Sequence, residues 1–395
     1  MTAASWGLLD PAGAGASATG DDEVLRAMVD VEAALLGAWG DVLGEPHDAA
    51  AAVLDAGALD RASLVEGVAR DGVVVVALVP LLSAQLEDAG ESSAHLHLGA
   101  TSQDVVDSAL MLVASRALAD ARDRLLASGS ALAALAVTGR RDPRVARTLA
   151  RPAAPSTLGV LAADWLDGVS SAVAAIDALE FPVQFGGAVG TGVKADAAAG
   201  RPGAADEVRA ALAARLGLAD PGRSWHTERS AVLAVAHAAS TVVAALGRIG
   251  RDATLLSRPE LGEVVLAGGG GSSAMPHKRN PVDAVALTAA AVEAPGLVAT
   301  ATAAASAADE RPAGEWHAGW GAFRRLLALA ESASAASARL GGGMTFDPER
   351  AADLLAASGV GAADDVVLAA SDRIVDRAVA RFAAVRDASN PGGDA

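Results

Sequence analysis

Apolar residues recur along most of this chain at intervals of three and four, the spacing that lines one face of an α-helix. The pattern sets in after residue 20, where Asp21 and Asp22 are candidate helix caps. Leu25, Met28, Val29, Leu35, Leu36, Trp39 and Leu43 then keep helical spacing up to Gly44. Residues 1–20 read as an irregular arm, and short helices are expected over 47–57 and 60–70. The run VVVVALVPLL (73–82) has strand propensity, yet no second strand-like run exists to pair with it. It is expected to be a buried helix kinked near Pro80.

From residue 101 the patterns lengthen, predicting helices over 101–138, 156–180, 229–257, 281–308 and 318–340. In the third of these, Val232, Val235, Ala239, Val242, Leu246 and Ile249 form one apolar stripe, widened by Ala236 and Val243. A helix of about 25 residues is roughly 38 Å long at its fixed rise, long for a monomeric domain. Alanine-rich faces permit close packing, so a multi-helix bundle shared between subunits is expected. The Gly- and Ala-rich segment 186–206 reads as a loop, as does 217–224. Gly341–Gly343 punctuate the chain and 347–388 reads as a small helical tail. The expected architecture is all-α in three domains: 1–93, a central bundle 94–340, and 341–395.

Composition supports that class and narrows the function. Apolar residues make up 52%, much of it alanine, the best helix former, against 3% aromatic. No apolar run is expected to approach the length needed to span a bilayer. No Lys or Arg precedes Arg26, so no secretory leader is expected. The chain has no cysteine, hence no disulfide or thiolate metal site, which suits the cytoplasm. A formal charge of −17 argues against nucleic-acid or membrane partners. An anionic substrate would have to be held by local cations against that field.

Such cations gather in Gly268 to Pro281, GGGGSSAMPHKRNP. Four glycines give a segment that is mobile until something orders it. Ser272, Ser273, His277, Lys278, Arg279 and Asn280 follow within nine residues, and a helix start follows at Pro281. Lys278 is one of only two lysines, the other being Lys194. N–H donors, a cation and an adaptable lid are what oxyacid binding needs. A flexible linker is the plainer reading of a glycine run, but Ala-Met-Pro between the serines and the basic residues argues against it. A second stretch, His97 to Asp104 (HLGATSQD), opens the first long helix. Its hydroxyls and N–H groups favour a carboxylate, and Thr101 to Asp104 also has the spacing of a capping box; both can hold.

The glycine-rich run resembles the signature GSSxMPxKxNP of the fumarase/aspartase superfamily at every defined position. HLGATSQDVVDSA is similar to that superfamily's first conserved region, in a form favoured by its carboxymuconate cycloisomerase branch. Arg147 to Gly159 (RTLARPAAPSTLG) looks like the second region, R-T-H-x-Q-x-A-x-P-T-T-x-G, with Leu149 in place of histidine and Arg151 in place of glutamine. In the fumarase and adenylosuccinate lyase branches that histidine pairs with a glutamate whose place here is taken by Val285. Three further stretches, Phe181–Thr191, Trp225–Arg229 and Ala308–Trp320, resemble the cycloisomerase branch, as does DVEAAL from Asp30 to Leu35.

The resemblance implies a homotetramer whose active sites draw the three regions from different subunits. It implies Ser272 as the proton-transfer residue, with Lys278 and Asn280 binding carboxylate and Ser273, Thr101, Ser102 and Gln103 beside them. His97 joins Ser272 as a catalytic candidate, although a satisfied buried histidine has equal weight. Arg311 and Arg151 are candidate clamps for a further carboxylate, through bidentate geometry. His226, His277 and His317 have weaker claims, and His47 and His237 read as surface or core. No cofactor and no metal are expected, since no ligand spacing such as HExxH occurs.

Losing the histidine and the glutamate together suggests a leaving group that departs without a proton. A carboxylate, with a reference pKa of about 4, is one. The expected substrate is therefore a small di- or tricarboxylate and the expected reaction the lactonisation of carboxymuconate. A nitrosuccinate lyase, where nitrite departs, and an adenylosuccinate lyase-like enzyme are the alternatives. A silent helical scaffold, as in crystallins, is the non-enzymatic one.

Overall fold

The structure is a computed structural model that describes residues 8–13 and 15–388. After turns and bends at 8–13 and 15–20, α1 (Asp21–Leu43) begins at Gly20, which makes no side-chain cap. Asp21 and Asp22 are thus first-turn residues rather than caps, where with Glu23 they complement the positive end of the helix. The helix expected over 47–57 is broken into α2 (Asp48–Ala51) and a 3₁₀ turn (Ala56–Ala58), because the Asp55 side chain takes the Gly57 N–H at 2.8 Å. α3 (Arg61–Asp71) is capped by Asp60 and ended by Gly72. The valine run is helical from Val75 on, Val73 and Val74 forming the turn before it: α4 (Val75–Asp88) buries Val75, Leu78, Leu82 and Leu86 and carries Pro80 inside it.

α5 (Ser102–Thr138) runs 37 residues, about 55 Å. Its end leads into a hairpin that helical periodicity did not announce, β1 (Pro143–Thr148) against β2 (Arg151–Thr157). α6 (Leu158–Asp177) returns. The stretch 186–206, expected to be a loop, holds α7 (Val193–Ala199) and the first turn of α8 (Ala204–Leu216). Its glycines bracket the helices instead of breaking them: Gly192, Gly200, Gly203 and Gly217 all sit at helix ends with left-handed backbone.

α9 (Ser230–Leu256), α10 (Val282–Ala304) and α11 (Glu315–Gly342) complete the bundle with α5 and α6. The stripe foreseen on α9 is the buried one, Val235, Ala239, Val242, Leu246 and Ile249 at its centre. α9 and α10 approach closely at Gly247, where a Cβ would lie 2.2 Å from that of Ala291. A short ladder, β3 (Val264–Leu266) with β4 (Met344–Phe346), ties the chain at the ends of α9 and α11. α12 (Pro348–Ser358) and α13 (Asp365–Ala388) form the tail, and α13 lies on α5 and α6 with the Phe382 ring against Gly129.

One expectation is overturned. α6, α9 and α10 are each long and apolar enough to cross a membrane by length and composition, with mean hydropathy of 1.3, 1.7 and 1.5. Alanine accounts for much of this, since it raises hydropathy while leaving a helix thin enough to pack in a bundle. α10 is the least covered: 28% of its most apolar window is buried, and Val282, Val285 and Val292 are exposed.

The Gly247 contact yields a test. Gly247→Val should drive a branched side chain into α10 and destabilise the protein by about 1–3 kcal/mol. A lowered denaturant midpoint at unchanged slope is the expected result.

Candidate active site

A buried carboxylate organises the N-terminus of α5. Asp104 Oδ2 accepts the Thr101 N–H at 3.0 Å, closing the capping box, and the Gly187 N–H at 2.9 Å. Its Oδ1 accepts the Gly186 N–H at 3.1 Å and lies 2.8 Å from His226 Nε2. One turn on, buried Asp107 takes both Arg229 nitrogens, at 2.6 and 3.0 Å, and the Trp316 indole at 3.0 Å. Between them Gln103, fully buried, donates to the His226 carbonyl at 2.8 Å and accepts from Arg311 Nε at 3.0 Å. Arg311 also donates to the Ala188 carbonyl at 3.2 Å and has no carboxylate partner among the described residues. The three stretches 181–191, 225–229 and 308–320 therefore converge on one acidic helix turn.

This network assigns places to several sequence candidates. Gln103 is committed to holding Arg311 and His226. His226 is a buried partner of Asp104. His97 adopts a left-handed backbone, φ 54°, unusual for a residue with a side chain, just before Thr101. Its Nδ1 lies 2.6 Å from Oε1 of Glu32, a fully buried residue of α1. Burial alone would push the His97 imidazole down, but the Glu32 hydrogen bond and charge, with Asp104 behind, outweigh it. The net effect holds His97 above the ordinary histidine value, against opposition from Lys194. His47 and His95 contact each other at 2.8 Å. With Glu45 they bring ligand atoms within 4.8 Å, but each imidazole spends one ring nitrogen on the other and Glu45 is exposed.

The signature segment lies elsewhere. Gly270 and Asn280 exchange backbone hydrogen bonds at 2.9 Å, pinching 271–279 into an exposed loop, and the glycines before it line a cleft of about 250 Å³ with Pro281, Val282 and Arg339. Asn280 Nδ2 donates to the Gly271 carbonyl at 3.0 Å. Ser272 Oγ accepts the Met275 N–H at 3.1 Å and the Ala274 N–H at 3.4 Å. Two amide dipoles thus converge on that hydroxyl, where they would stabilise negative charge. Ser273 and Lys278 are exposed, and Lys278 has no ion pair among the described residues. Arg151, exposed, begins β2 and is likewise unpaired there. Leu149 and Ala150 form the tip of that hairpin, both with positive φ (49° and 62°), and Leu149 is 99% exposed. Buried Glu263 binds Arg144 and Arg147 and so fastens the hairpin base beside β3.

The candidates therefore fall into two groups within a chain. His97, Thr101, Ser102, Gln103 and Arg311 lie where α5 and α11 begin. Ser272, Ser273, Lys278, Asn280 and Arg151 lie at the opposite end, separated by the 27 residues of α9, about 40 Å. The sequence reading of Asp104 as the capping-box partner of Thr101 holds, but its grip on Gly186, Gly187 and His226 was not foreseen. Glu32 and Asp107 are carboxylates on apolar-looking helices, and only their distant partners reveal them. Lys194, exposed on α7, was noticed but given no place; it sits near enough to His97 to be felt by its charge.

Residues 24–296 match the family model described as Lyase. The chain belongs to this lyase family, of the fumarase/aspartase superfamily. It is an enzyme fold of that group. The nitrosuccinate lyase of Streptomyces davaonensis is 39% identical over 87% of this chain and 76% of its own length. The 3-carboxy-cis,cis-muconate cycloisomerase of Pseudomonas aeruginosa is 40% identical over 82% and 72%. Among solved structures, the 3-carboxy-cis,cis-muconate lactonizing enzyme of Pseudomonas putida superposes with a TM-score of 0.76 at 31% identity, over 93% of this chain and 86% of that one.

Asp104→Ala is expected to be costly, because it strands a buried imidazole and three amide donors. Removing one partner of a buried polar pair costs about 3–5 kcal/mol. Denaturant unfolding should register a loss of that size; a change under 1 kcal/mol would remove Asp104 from its place as the organiser.

Proposed function

We propose that this enzyme is a 3-carboxy-cis,cis-muconate cycloisomerase. The apolar residues Leu149 and Val285, both exposed at the end of the chain that holds Ser272, carry the reading as far as a leaving group that departs as a stable anion. Neither offers a proton to a leaving group. Within that class, 32–40% identity to four cycloisomerases favours lactonisation. In lactonisation the bond made, or broken in reverse, joins carbon to a carboxylate oxygen, which needs none at neutral pH.

In the mechanism, one substrate carboxylate adds across a double bond and Ser272 delivers a proton to the neighbouring carbon. The amides of Ala274 and Met275 lower the cost of the alkoxide form of Ser272. Lys278, Asn280, Thr101 and Ser102 stabilise the carboxylate that takes on enolate character, and Arg311 and Arg151 hold further carboxylates. His97 orients the substrate from the start of α5.

Because the two groups lie about 40 Å apart along α9, the complete site requires another copy of the chain. Superfamily members are typically oligomeric, and the uncovered apolar face of α10 supports a homotetramer. A cysteine-free chain is in keeping with a cytoplasmic location.

A second reading is nitrosuccinate lyase activity, favoured by the 39% identity over 87% of this chain. Nitrite also departs as a stable anion, so Leu149 and Val285 serve both reactions.

The test is kcat/KM with one preparation on carboxymuconate, nitrosuccinate, adenylosuccinate and argininosuccinate. Carboxymuconate should lead, and the two amine-releasing substrates should trail by at least the roughly 10²–10⁴-fold that an acid supplies. A nitrosuccinate lead would select the second reading, and an adenylosuccinate lead would overturn both. Ser272→Ala should lower turnover at least about 10²-fold with the oligomer intact by light scattering.

A further inference from the structure

His97 is placed with unusual care for a residue that merely fills space. It takes a left-handed backbone, φ 54°, which costs a residue with a side chain about 1–3 kcal/mol and persists only where surroundings impose it. What imposes it is visible on both sides. Before Thr101 the chain is pinned by the Trp39 indole, which donates to the Leu98 carbonyl at 2.9 Å, and after it by the Asp104 capping box. Gly99 and Gly187 are in close contact, the Gly99 carbonyl lying 2.7 Å from where a Gly187 Cβ would stand.

The ring that this backbone presents is then fixed by one atom. Glu32 is completely buried on α1, and its Oε1 meets His97 Nδ1 at 2.6 Å, while its Oε2 has no hydrogen-bond partner among the described residues. A buried carboxylate with a free oxygen is costly to keep, so its one strong contact deserves a functional account. With Nδ1 committed, the tautomer is set, and His97 Nε2 makes no hydrogen bond to the described residues. The His97 side chain is 21% exposed, so that nitrogen is the part left to face a substrate.

We propose that Glu32 is a positioning residue: it holds His97 with Nδ1–H inward and Nε2–H outward, so that His97 donates a charge-assisted hydrogen bond to a substrate carboxylate at the start of α5. This rests on the reaction proposed above only for the identity of that carboxylate. The charged groups facing His97 are Glu32 from α1, Asp104 from α5 and Lys194 from α7. Two of the three are acidic, which favours the cationic ring. The third, an exposed lysine, is close enough for its charge to oppose the cationic ring.

The arrangement has a defined sign. A histidine raised by an acidic neighbour is charged below its shifted value and loses its charge, and its hold on a carboxylate, as pH rises through that value. Glu32→Gln keeps an acceptor oxygen but removes the negative charge. It should lower the titration midpoint of His97, because the charge that favours the cationic ring is gone.

The experiment follows the histidine Cε1–H signals of the intact enzyme by NMR, only seven histidines being present, with His97→Gln to assign the signal. In Glu32→Gln the His97 midpoint should fall, and the alkaline limb of kcat/KM should move to lower pH with it. Glu32→Asp, which keeps the charge, should restore the midpoint at least in part. The losses in kcat/KM from Glu32→Gln and His97→Gln should not add in the double variant, since both act through one ring. An unmoved His97 midpoint in Glu32→Gln, or fully additive losses, would overturn the proposal. If Glu32→Gln does not fold, an unraised His97 midpoint in the wild-type and Glu32→Asp enzymes would overturn it equally. The NMR reading needs no substrate, so it stands or falls apart from the assignment of the reaction.

Discussion

A single buried carboxylate, Asp104, is the constraint from which the rest of the α5 end follows. Its two oxygens accept from three backbone amides and meet one imidazole, so it closes the helix and fastens two loops that are 80 and 120 residues away in sequence. A carboxylate so placed is worthwhile only when every lone pair is used, because a half-satisfied buried charge costs more than an apolar core. The same logic is repeated one turn later at Asp107 with Arg229 and Trp316. Two carboxylates on one helix face thus turn four separate segments into a rigid floor, above which Thr101, Ser102 and Arg311 stand.

How much of this was legible in the sequence depended on the range of the interaction. The long helices were plain, because α9 repeats its apolar residues every three or four positions over 27 residues and nothing competes with that signal. The valine run at 73–76 was also readable, since a strand without a partner is not stable. What periodicity missed were features set by single residues. The α7 and α8 helices hid behind glycines that cap rather than interrupt, and the hairpin at 143–157 hid because it is fastened by Glu263, more than 100 positions away.

The candidate site divides in the same manner. Ser272, Lys278 and Asn280 were visible because one loop carries them consecutively, and the loop's own hydrogen bonds, Gly270 with Asn280 and Ser272 with Met275, keep them together. Gln103 was visible but its work was not, since its partners are His226 and Arg311. Glu32 was read only as part of a matching helix. Its importance lies in a 2.6 Å contact across 65 residues, which no local pattern encodes.

The separation of the two residue groups gives helix length a meaning beyond stability. If Ser272 of one chain must meet Thr101 of another, α9 and α10 act as rulers, and their residue count sets where each end falls. Inserting one residue in the middle of α9 would advance everything beyond it by about 1.5 Å and rotate it by about 100°. The apolar stripe would then turn away from the core and the signature loop away from its counterpart at once. Loops and the tail are free to gain or lose residues in this design, whereas the bundle helices can vary in composition but not in length.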